Sequence, residues 1–374
     1  MTKIPISGYT SPGFEPVRAA FESNFSKAEE LGAAFYAECN GVVLFDLIGG
    51  WTDRSRQQPW TGNTLAPVYS TTKGIAALVL ASVISKLPNG YETPVSELWP
   101  AFAAHGKEHL SIAELASHQA GLPGFPEPID PELWLAPDQC ADALASLAPL
   151  WPPGTAHGYH PQSWGYLIGK LVKIIDGRSL GTVLREDFTA IADIDFHIGT
   201  AASEHARITD IMRPRQLADL GEINEPTRVA FLTKWAASNR NADTWRTIEI
   251  PSANGHGHAK STARLYSLFA NQGRLDDRQI ITPEAYDGLI KRRTIGPDLV
   301  LPYETDFAAG IMRNNLGFFG PNPETFGHAG WGGSMALADP DERISAAYVM
   351  NQQSNKLIGD PRSKRLIDAL YKCY

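Results

Sequence analysis

Residues 69–74 read Tyr-Ser-Thr-Thr-Lys-Gly, and they open the most apolar helix that the sequence predicts, from Ser70 to about Lys86. Side chains three residues apart lie on one face of a helix, so the amine of Lys73 can reach the hydroxyl of Ser70. Serine is a weak nucleophile that needs a base, and a lysine among apolar neighbours can lose its proton and act as that base. The alternative is an N-capping serine with a surface lysine. About one Ser-x-x-Lys match is expected by chance, and this match is the only one in the chain.

Two later stretches carry side chains that suit the same chemistry. Residues 153–160 read Pro-Gly-Thr-Ala-His-Gly-Tyr-His. A tyrosine in such a turn-rich loop can approach a nucleophile, and a lysine that stays cationic nearby would lower the pKa of Tyr159 and make it a general base. The alternative is an aromatic side chain that covers a helix end.

Residues 327–333 read Gly-His-Ala-Gly-Trp-Gly-Gly, and glycines this dense in a strand indicate either close approach of a ligand or a tightly turning strand.

The order of helices and strands predicts an α+β fold. Apolar runs at 33–38 and 42–48 flank Asn40-Gly41, which is a strong hairpin signal. Helical periodicity covers 16–30, 70–86 and a long stretch from 94 to 238, with helices at 111–117, 138–146, 163–176 and 182–191, and it returns at 261–271, 283–292 and 362–371. Further strands are predicted at 307–312, 325–330, 334–338 and 344–350. We expect a lobe with an antiparallel sheet from residues 1–69 and 250–374, a mostly helical lobe from 70–249, and an active site between them.

The three motifs, taken in order, resemble the serine β-lactamase and penicillin-binding-protein superfamily, and within it the class C-like carboxylesterases called family VIII. The segments at 49–51, 69–74, 115–123, 153–155 and 328–330 are similar to that family's segments in the same order. The resemblance implies a β-lactamase-like fold, with an antiparallel sheet flanked by helices and an inserted helical lobe. It also implies a serine carboxylesterase that forms an acyl-enzyme intermediate, with no metal or other cofactor.

The resemblance assigns a role to each motif. Ser70 would be the acylated nucleophile, Lys73 its proton-relay partner, and Tyr159 the general base. The backbone N–H groups of Ser70 and Trp331 would form the oxyanion hole, which is a major source of rate in acyl transfer. The substrate-binding positions, on an edge strand, would be His328, Ala329, Gly330 and Trp331.

Three departures from the class C pattern bear on the substrate. Where those enzymes carry an asparagine, this chain has Pro161, which has no amide to hold an acylamino group. Their charged lysine is replaced by His328, which is mostly neutral at pH 7 by its reference pKa, and Ala329 lacks the usual hydroxyl. These changes favour a small neutral ester with a short acyl group. Hydrolysis of amides, anilides, β-lactams or D-alanyl peptides is the alternative at the same site, and a non-catalytic binding protein is the alternative of another class.

Other residues that could carry chemistry have simpler explanations. Residues 177–181 match the Gly-x-Ser-x-Gly pattern of α/β-hydrolases, but that pattern requires a strand before it. A helix precedes it here, so Ser179 is expected in a helix-to-helix turn. His256 and His258 lack partners at a metal-ligand spacing and are expected in a loop that lines the site. His118 is expected to cap the end of the helix at 111–117.

Composition narrows the class of protein further. The 374 residues are 43% hydrophobic, enough for a sizeable core, and carry a net charge of −8 with no basic run, so nucleic acid and membranes are poor partners. Cys39, Cys140 and Cys373 are too few for a disulfide scaffold. Residues 1–13 do not resemble a secretory signal. We therefore expect a cytoplasmic enzyme that acts on a small molecule, and the oligomeric state is left open.

Overall fold

The computed structural model describes residues 4–27, 29–216, 218–232 and 242–374. In this part of the chain the strands are, in order, β1 (Ile6–Thr10), β2 (Gly32–Cys39), β3 (Val42–Gly50), β4 (Ala66–Pro67), β5 (Phe196–Ile198), β6 (Gly255–Gly257), β7 (Arg274–Leu275), β8 (Arg278–Gln279), β9 (Thr294–Pro297), β10 (Glu304–Phe307), β11 (Met312–Arg313), β12 (Phe326–Ala329), β13 (Met335–Asp339) and β14 (Ile344–Met350). Nine of them form one sheet in the order β1–β3–β2–β14–β13–β12–β11–β10–β9. Each neighbouring pair is antiparallel, so the first strands of the chain pair with the last.

Helices supply most of the middle of the chain. They are α1 (Glu15–Ser26), α2 (Thr72–Ile84), α3 (Val95–Leu98), α4 (Ile112–Ala116), α5 (Pro137–Ala145), α6 (Ser163–Asp176), α7 (Leu180–Val183), α8 (Glu225–Thr227), α9 (Asp243–Thr247), α10 (Ala259–Ala270), α11 (Pro283–Ile290) and α12 (Pro361–Tyr371). The α+β fold is thus confirmed. The helical stretch predicted to end at residue 238 has its end outside the described residues. Within the described ranges, no helix is long and apolar enough to cross a membrane.

The predicted hairpin at Asn40-Gly41 is confirmed. Strands β2 and β3 pair directly around this turn, where Asn40 has φ 49° and Gly41 has φ 79°. A two-residue hairpin turn of type I′ needs positive φ at both positions, which asparagine and glycine adopt most easily. The hairpin places β2 beside β14, near the middle of the sheet.

Both faces of the sheet are covered, so β2 is buried along nearly its whole length. Because side chains alternate across a strand, Phe35 packs on one face with residues of α1 and α12 such as Phe21 and Leu366. Tyr36 packs on the opposite face with the helical core. The apolar run at 33–38 therefore has no polar face, as is usual for a strand between two layers.

Helix α2 is the centre of the helical layer. Twelve of its thirteen residues are buried, and it packs against α6 and α11. A helix that is apolar all round is a core helix, and its burial fixes the position of the residues at its first turn.

Three predictions about strands are wrong. Residues 307–312 are not one strand, because Gly310 has φ 93° and a turn separates β10 from β11. Residues 255–257, which include His256, form strand β6 rather than a loop. Strand β12, expected at an edge, lies inside the sheet; β11 pairs with it at Phe326 and Gly327, whereas His328 and Ala329 are paired on the β13 side.

Candidate active site

Ser70 lies in a tight turn that leads directly into α2. Residues 69–71 form a single 3₁₀ turn, and Tyr69 has φ 48°, a conformation that costs a non-glycine residue on the order of 1–3 kcal/mol. The turn is held from the sheet side, where the hydroxyl of Ser334 donates to the carbonyl of Val68 at 2.8 Å. The serine is therefore presented by a strained turn that its surroundings fix.

Two glycines allow neighbouring elements to approach this turn. A Cβ atom on Gly330 would lie 2.3 Å from the carbonyl oxygen of Val68, and one on Gly74 would lie 2.2 Å from the hydroxyl oxygen of Tyr266. That hydroxyl donates to the carbonyl of Thr71 at 2.7 Å. Both contacts exclude a side chain at the glycine position, which explains two of the glycines in the motifs.

Lys73 is completely buried one helical turn after Ser70. Its Nζ lies 3.3 Å from Ser70 Oγ, 2.8 Å from the carbonyl oxygen of Pro161 and 3.0 Å from that of Ser252. Burial lowers the pKa of Lys73 well below its ordinary value. Burial thus favours the neutral amine, which has two N–H donors and one lone pair. In that form the two carbonyls can accept its hydrogens and the lone pair is left for the serine hydroxyl. This arrangement suits a base that removes the serine proton.

Tyr159 also lies next to the amine of Lys73, and Nζ is 4.7 Å from the centre of the tyrosine ring. Its backbone N–H donates to Oδ1 of Asp298 at 3.0 Å, and this contact fixes the loop. Burial raises the pKa of the Tyr159 hydroxyl, and an interaction with Ser70 offsets this only in part. A Lys73 that stayed cationic was expected to lower the pKa of Tyr159, but burial disfavours the cationic form of Lys73 and burial also sets the direction of the Tyr159 shift. Burial therefore favours the protonated phenol at Tyr159.

His328 is buried beside Tyr159, with ring centres 6.0 Å apart. Burial lowers its pKa to about 3, so the imidazole is neutral. Its Nδ1 lies 2.9 Å from the carbonyl oxygen of Ala329, a contact that assigns the proton to Nδ1. Among the described residues Nε2 has no hydrogen-bond partner. His328 therefore offers a hydrogen-bond acceptor, whereas the lysine it replaces offers a charged donor.

An apolar cavity of about 510 Å³ lies over Ser70. It is lined by Tyr69, Ser70, Tyr159, Pro161, Gln162, Arg213, Pro214, Ala218, Leu220, Phe231, Leu232, Trp245, Ala253, Leu301, Met312, His328, Ala329, Trp331, Leu357 and Ile358. Of these lining residues Arg213 alone is charged at neutral pH. The cavity thus brings together the predicted residues Ser70, Tyr159, His328, Ala329 and Trp331. Lys73 and Gly330 do not line the cavity, and Gly330 packs against the turn that carries Ser70.

Sequence reasoning missed the residues that support this site. Ser252 supplies a carbonyl to Lys73, and Asp298 anchors the backbone of Tyr159. Much of the cavity wall also comes from unremarkable apolar positions: Leu220, Phe231, Leu301, Met312, Leu357 and Ile358. No local sequence pattern distinguishes these positions, because they are distant along the chain and meet at the site only in the folded protein.

The remaining candidates lie outside the cavity. Ser179 is the N-cap of α7, and its hydroxyl donates to Glu249 at 2.6 Å, so the predicted helix-to-helix turn is confirmed. His256 contacts the hydroxyl of Thr200 through Nδ1 at 3.0 Å and does not line the site. His118 follows the C-cap of α4, where its backbone N–H donates to the carbonyl of Leu115 at 3.3 Å, as expected for a residue that closes a helix.

Comparisons with known proteins lead to the same superfamily. Residues 18–369 match the family model described as Beta-lactamase. Esterase/beta-lactamase LipL of Mycobacterium tuberculosis is 29% identical over 367 residues, which cover 94% of this chain and 84% of that protein. Among solved structures, a penicillin-binding protein homologue from Caulobacter crescentus is 46% identical with a TM-score of 0.95, covering 99% of this chain and 100% of that one. A family VIII carboxylesterase is 34% identical with a TM-score of 0.92, covering 99% and 100%.

The family match spans nearly the whole chain, and the similarity to solved structures covers the sheet and the helical layer together. The resemblance drawn from the three motifs is confirmed at this level. The chain belongs to the beta-lactamase family, as a hydrolase with the fold that this family shares with penicillin-binding proteins.

Proposed function

We propose that this protein is a serine carboxylesterase that hydrolyses small, neutral, short-acyl esters through an acyl-enzyme intermediate. The observation that carries the proposal is the buried amine of Lys73, which lies 3.3 Å from Ser70 Oγ with two backbone carbonyls as its other partners. A nucleophile and a base within this reach form the functional unit of covalent catalysis.

Acylation begins when the lone pair of Lys73 takes the hydroxyl proton of Ser70. The oxygen attacks the ester carbonyl, and the backbone N–H groups of Ser70 and Trp331 stabilise the oxyanion. Collapse of this intermediate expels the alcohol, which receives its proton from the Tyr159 hydroxyl, and the Lys73 ammonium restores the phenol. In deacylation water gives a proton to the same pair and attacks the acyl carbon. Collapse of this second oxyanion breaks the bond to Ser70 Oγ, which takes that proton back as the acid leaves.

The cavity favours a substrate without charge. Its walls are mostly aliphatic and aromatic, with Arg213 as the one lining residue that is charged at neutral pH, so a substrate carboxylate placed there would lose most of its hydration. His328 presents a lone pair rather than a donor, which repels a carboxylate, and Pro161 offers no side-chain amide. These features support an ester in preference to a β-lactam or a D-alanyl peptide.

Amide, anilide, β-lactam or D-alanyl peptide hydrolysis uses the same nucleophile and is the second candidate. Esterase/beta-lactamase LipL bears both activities in its name, which favours testing both substrate classes. A binding protein without catalysis is disfavoured, because it has no use for a desolvated lysine beside a serine hydroxyl.

The test is a panel of p-nitrophenyl esters of graded acyl length, beside nitrocefin and an acetanilide. We expect kcat/KM for short-chain esters to exceed that for nitrocefin by orders of magnitude. An aryl phosphonate ester should label the protein once, at Ser70, and leave the Ser70→Ala variant unlabelled. Wild-type protein that is neither labelled nor active on any ester would mean a binding protein, and higher kcat/KM on nitrocefin would favour the second candidate.

A further inference from the structure

The turn that follows β12 is held by residues between β14 and the first turn of α12. This turn, residues 330–333, carries Trp331, whose N–H is a proposed oxyanion donor. The side-chain amide of Gln353 donates to the carbonyl of Trp331 at 3.0 Å, and Nη2 of Arg362 donates to the carbonyl of Gly332 at 2.7 Å. The backbone N–H of Gly332 donates to the carbonyl of Lys356 at 3.1 Å. Three contacts to successive backbone groups of Trp331 and Gly332 thus fix the turn.

Arg362 is locked in a single orientation at the start of α12. It is 3% exposed, and its Nε and Nη2 donate to the two carboxylate oxygens of Asp360 at 3.0 and 2.8 Å. Its Nη1 donates to the carbonyl of Gln352 at 2.7 Å and lies 3.3 Å from the carboxylate of Glu30. A planar guanidinium with this many fixed partners is a rigid fork that a lysine ammonium cannot reproduce.

The glycines of the turn allow this close support. A Cβ atom at Gly333 would lie 2.5 Å from Nη2 of Arg362, and one at Gly332 would lie 2.6 Å from Cβ of Gln353. Their φ values of 130° and 88° also favour glycine. The absence of side chains at Gly332 and Gly333 lets the arginine and the glutamine contact the peptide groups of the turn directly.

We propose that Arg362 is a positioning residue for the oxyanion hole, acting by fixing the turn that carries the Trp331 N–H. The inference rests on the proposed esterase function. An oxyanion donor is effective only when it is already aimed at the position where charge develops. Supporting contacts must therefore hold the donor within about 0.5 Å of the productive geometry. Arg362 touches no substrate atom, so its effect passes through the turn.

The test is the Arg362→Lys variant, which keeps the positive charge beside Glu30 and Asp360 but loses the fork. Losing an oxyanion donor costs about 10²- to 10³-fold in kcat, so a displaced donor should lower kcat by about tenfold to a hundredfold. KM should change by less than about threefold, because ground-state binding in the apolar cavity is untouched. Affinity for an aryl trifluoromethyl ketone, which Ser70 converts to a tetrahedral oxyanion, should fall by the same factor as kcat/KM.

Arg293→Lys is the matched control. Arg293 is also mostly buried and holds one carboxylate, that of Glu92, and one carbonyl, that of Gly288, at 2.7 and 3.2 Å. Its replacement should cost stability without changing kcat or the affinity for the ketone. If the role of Arg362 were purely structural, Arg362→Lys would also lower stability without changing kcat or the affinity for the ketone.

A second variant, Gln353→Met, removes the contact to the Trp331 carbonyl without disturbing the buried ion pairs, and a smaller loss of kcat at constant KM is expected. An active wild type with unchanged kcat in Arg362→Lys overturns the positioning role alone. So does an unfolded Arg362→Lys protein together with a fully active Gln353→Met protein. Wild-type protein that hydrolyses no ester and takes no phosphonate label overturns the proposed function itself.

Discussion

Replacing Lys73 by methionine separates catalysis from stability at the centre of the site. Methionine fills a similar volume but offers neither a lone pair to Ser70 nor hydrogens to the carbonyls of Pro161 and Ser252, which lie 2.8 and 3.0 Å from Nζ. The substitution should therefore abolish proton removal while leaving the apolar packing of α2 in place.

The expected loss of activity follows from the role of the base. General-base catalysis contributes about 10²- to 10⁴-fold, so kcat for p-nitrophenyl acetate should fall by about that factor in Lys73→Met. The KM should change little, because Lys73 does not line the cavity.

The stability change has a pH dependence whose sign the burial of Lys73 determines. Its pKa is lowered in the folded state, so below the ordinary value of 10.5 the unfolded chain binds a proton that the folded protein does not. Lys73 therefore lowers the free energy of unfolding as pH falls, by about 1.4 kcal/mol per pH unit down to its folded-state pKa. From pH 9 to pH 7 this amounts to up to about 2.7 kcal/mol. The two lost hydrogen bonds cost about 0.5–1.5 kcal/mol each at both pH values and cancel in the comparison.

The assay is urea unfolding of wild type and Lys73→Met at pH 7 and pH 9, with kcat measured alongside. The free energy of unfolding of the variant, relative to wild type, should be higher at pH 7 than at pH 9. Lys107→Met is the matched control, since Lys107 is also buried and donates to two carbonyls, those of Ala104 and Leu147, at 2.5 and 2.6 Å. Burial lowers the pKa of Lys107 too, so its variant should shift stability in the same sense and keep full activity.

Two results would refute this reasoning. If Lys73→Met retained kcat within about threefold of wild type, the base would have to be another group. If its relative stability were the same at pH 7 and pH 9, Lys73 would keep its ordinary pKa and its proton in the folded protein.

The other predictions concern the remaining site residues. Ser70→Ala should abolish ester hydrolysis, whereas Ser179→Ala should keep kcat because it removes only a helix N-cap. The reverse outcome in a rate assay would identify Ser179 as the nucleophile. Tyr159→Phe should lower kcat by about 10²- to 10⁴-fold with little change in thermal stability. Its loss should not add to that of Lys73→Met, because in the proposed mechanism the two residues act as one proton-transfer unit. Near-native kcat would make Tyr159 a structural aromatic. His328→Lys should lower the KM for nitrocefin by offering its carboxylate a charged donor, a contact worth roughly 1.5–3 kcal/mol. The difference in kcat/KM between nitrocefin and a neutral aryl ester should become smaller. A folded variant that loses nitrocefin turnover would contradict the role given to this position.

Local sequence determined those parts of the protein whose partners are close along the chain. The Ser70–Lys73 spacing places both side chains on one helical face whatever surrounds them, since the geometry of a helical turn is fixed. Asn40-Gly41 specifies its hairpin for a similar reason, because few residue pairs adopt two consecutive positive φ angles. Local sequence failed at residues 307–312, where the apolar run predicted one strand although a turn at Gly310 divides it into two.

The tertiary structure alone decided the chemical state of the site. Lys73 is desolvated by residues far along the chain, and its carbonyl partners Pro161 and Ser252 lie 88 and 179 positions away. The sequence suggested that His328 is neutral, but only its contact with the carbonyl of Ala329 indicates which ring nitrogen carries the proton. Protonation states and cavity walls depend on which groups exclude water from one another, and distant segments do so only once the chain has folded.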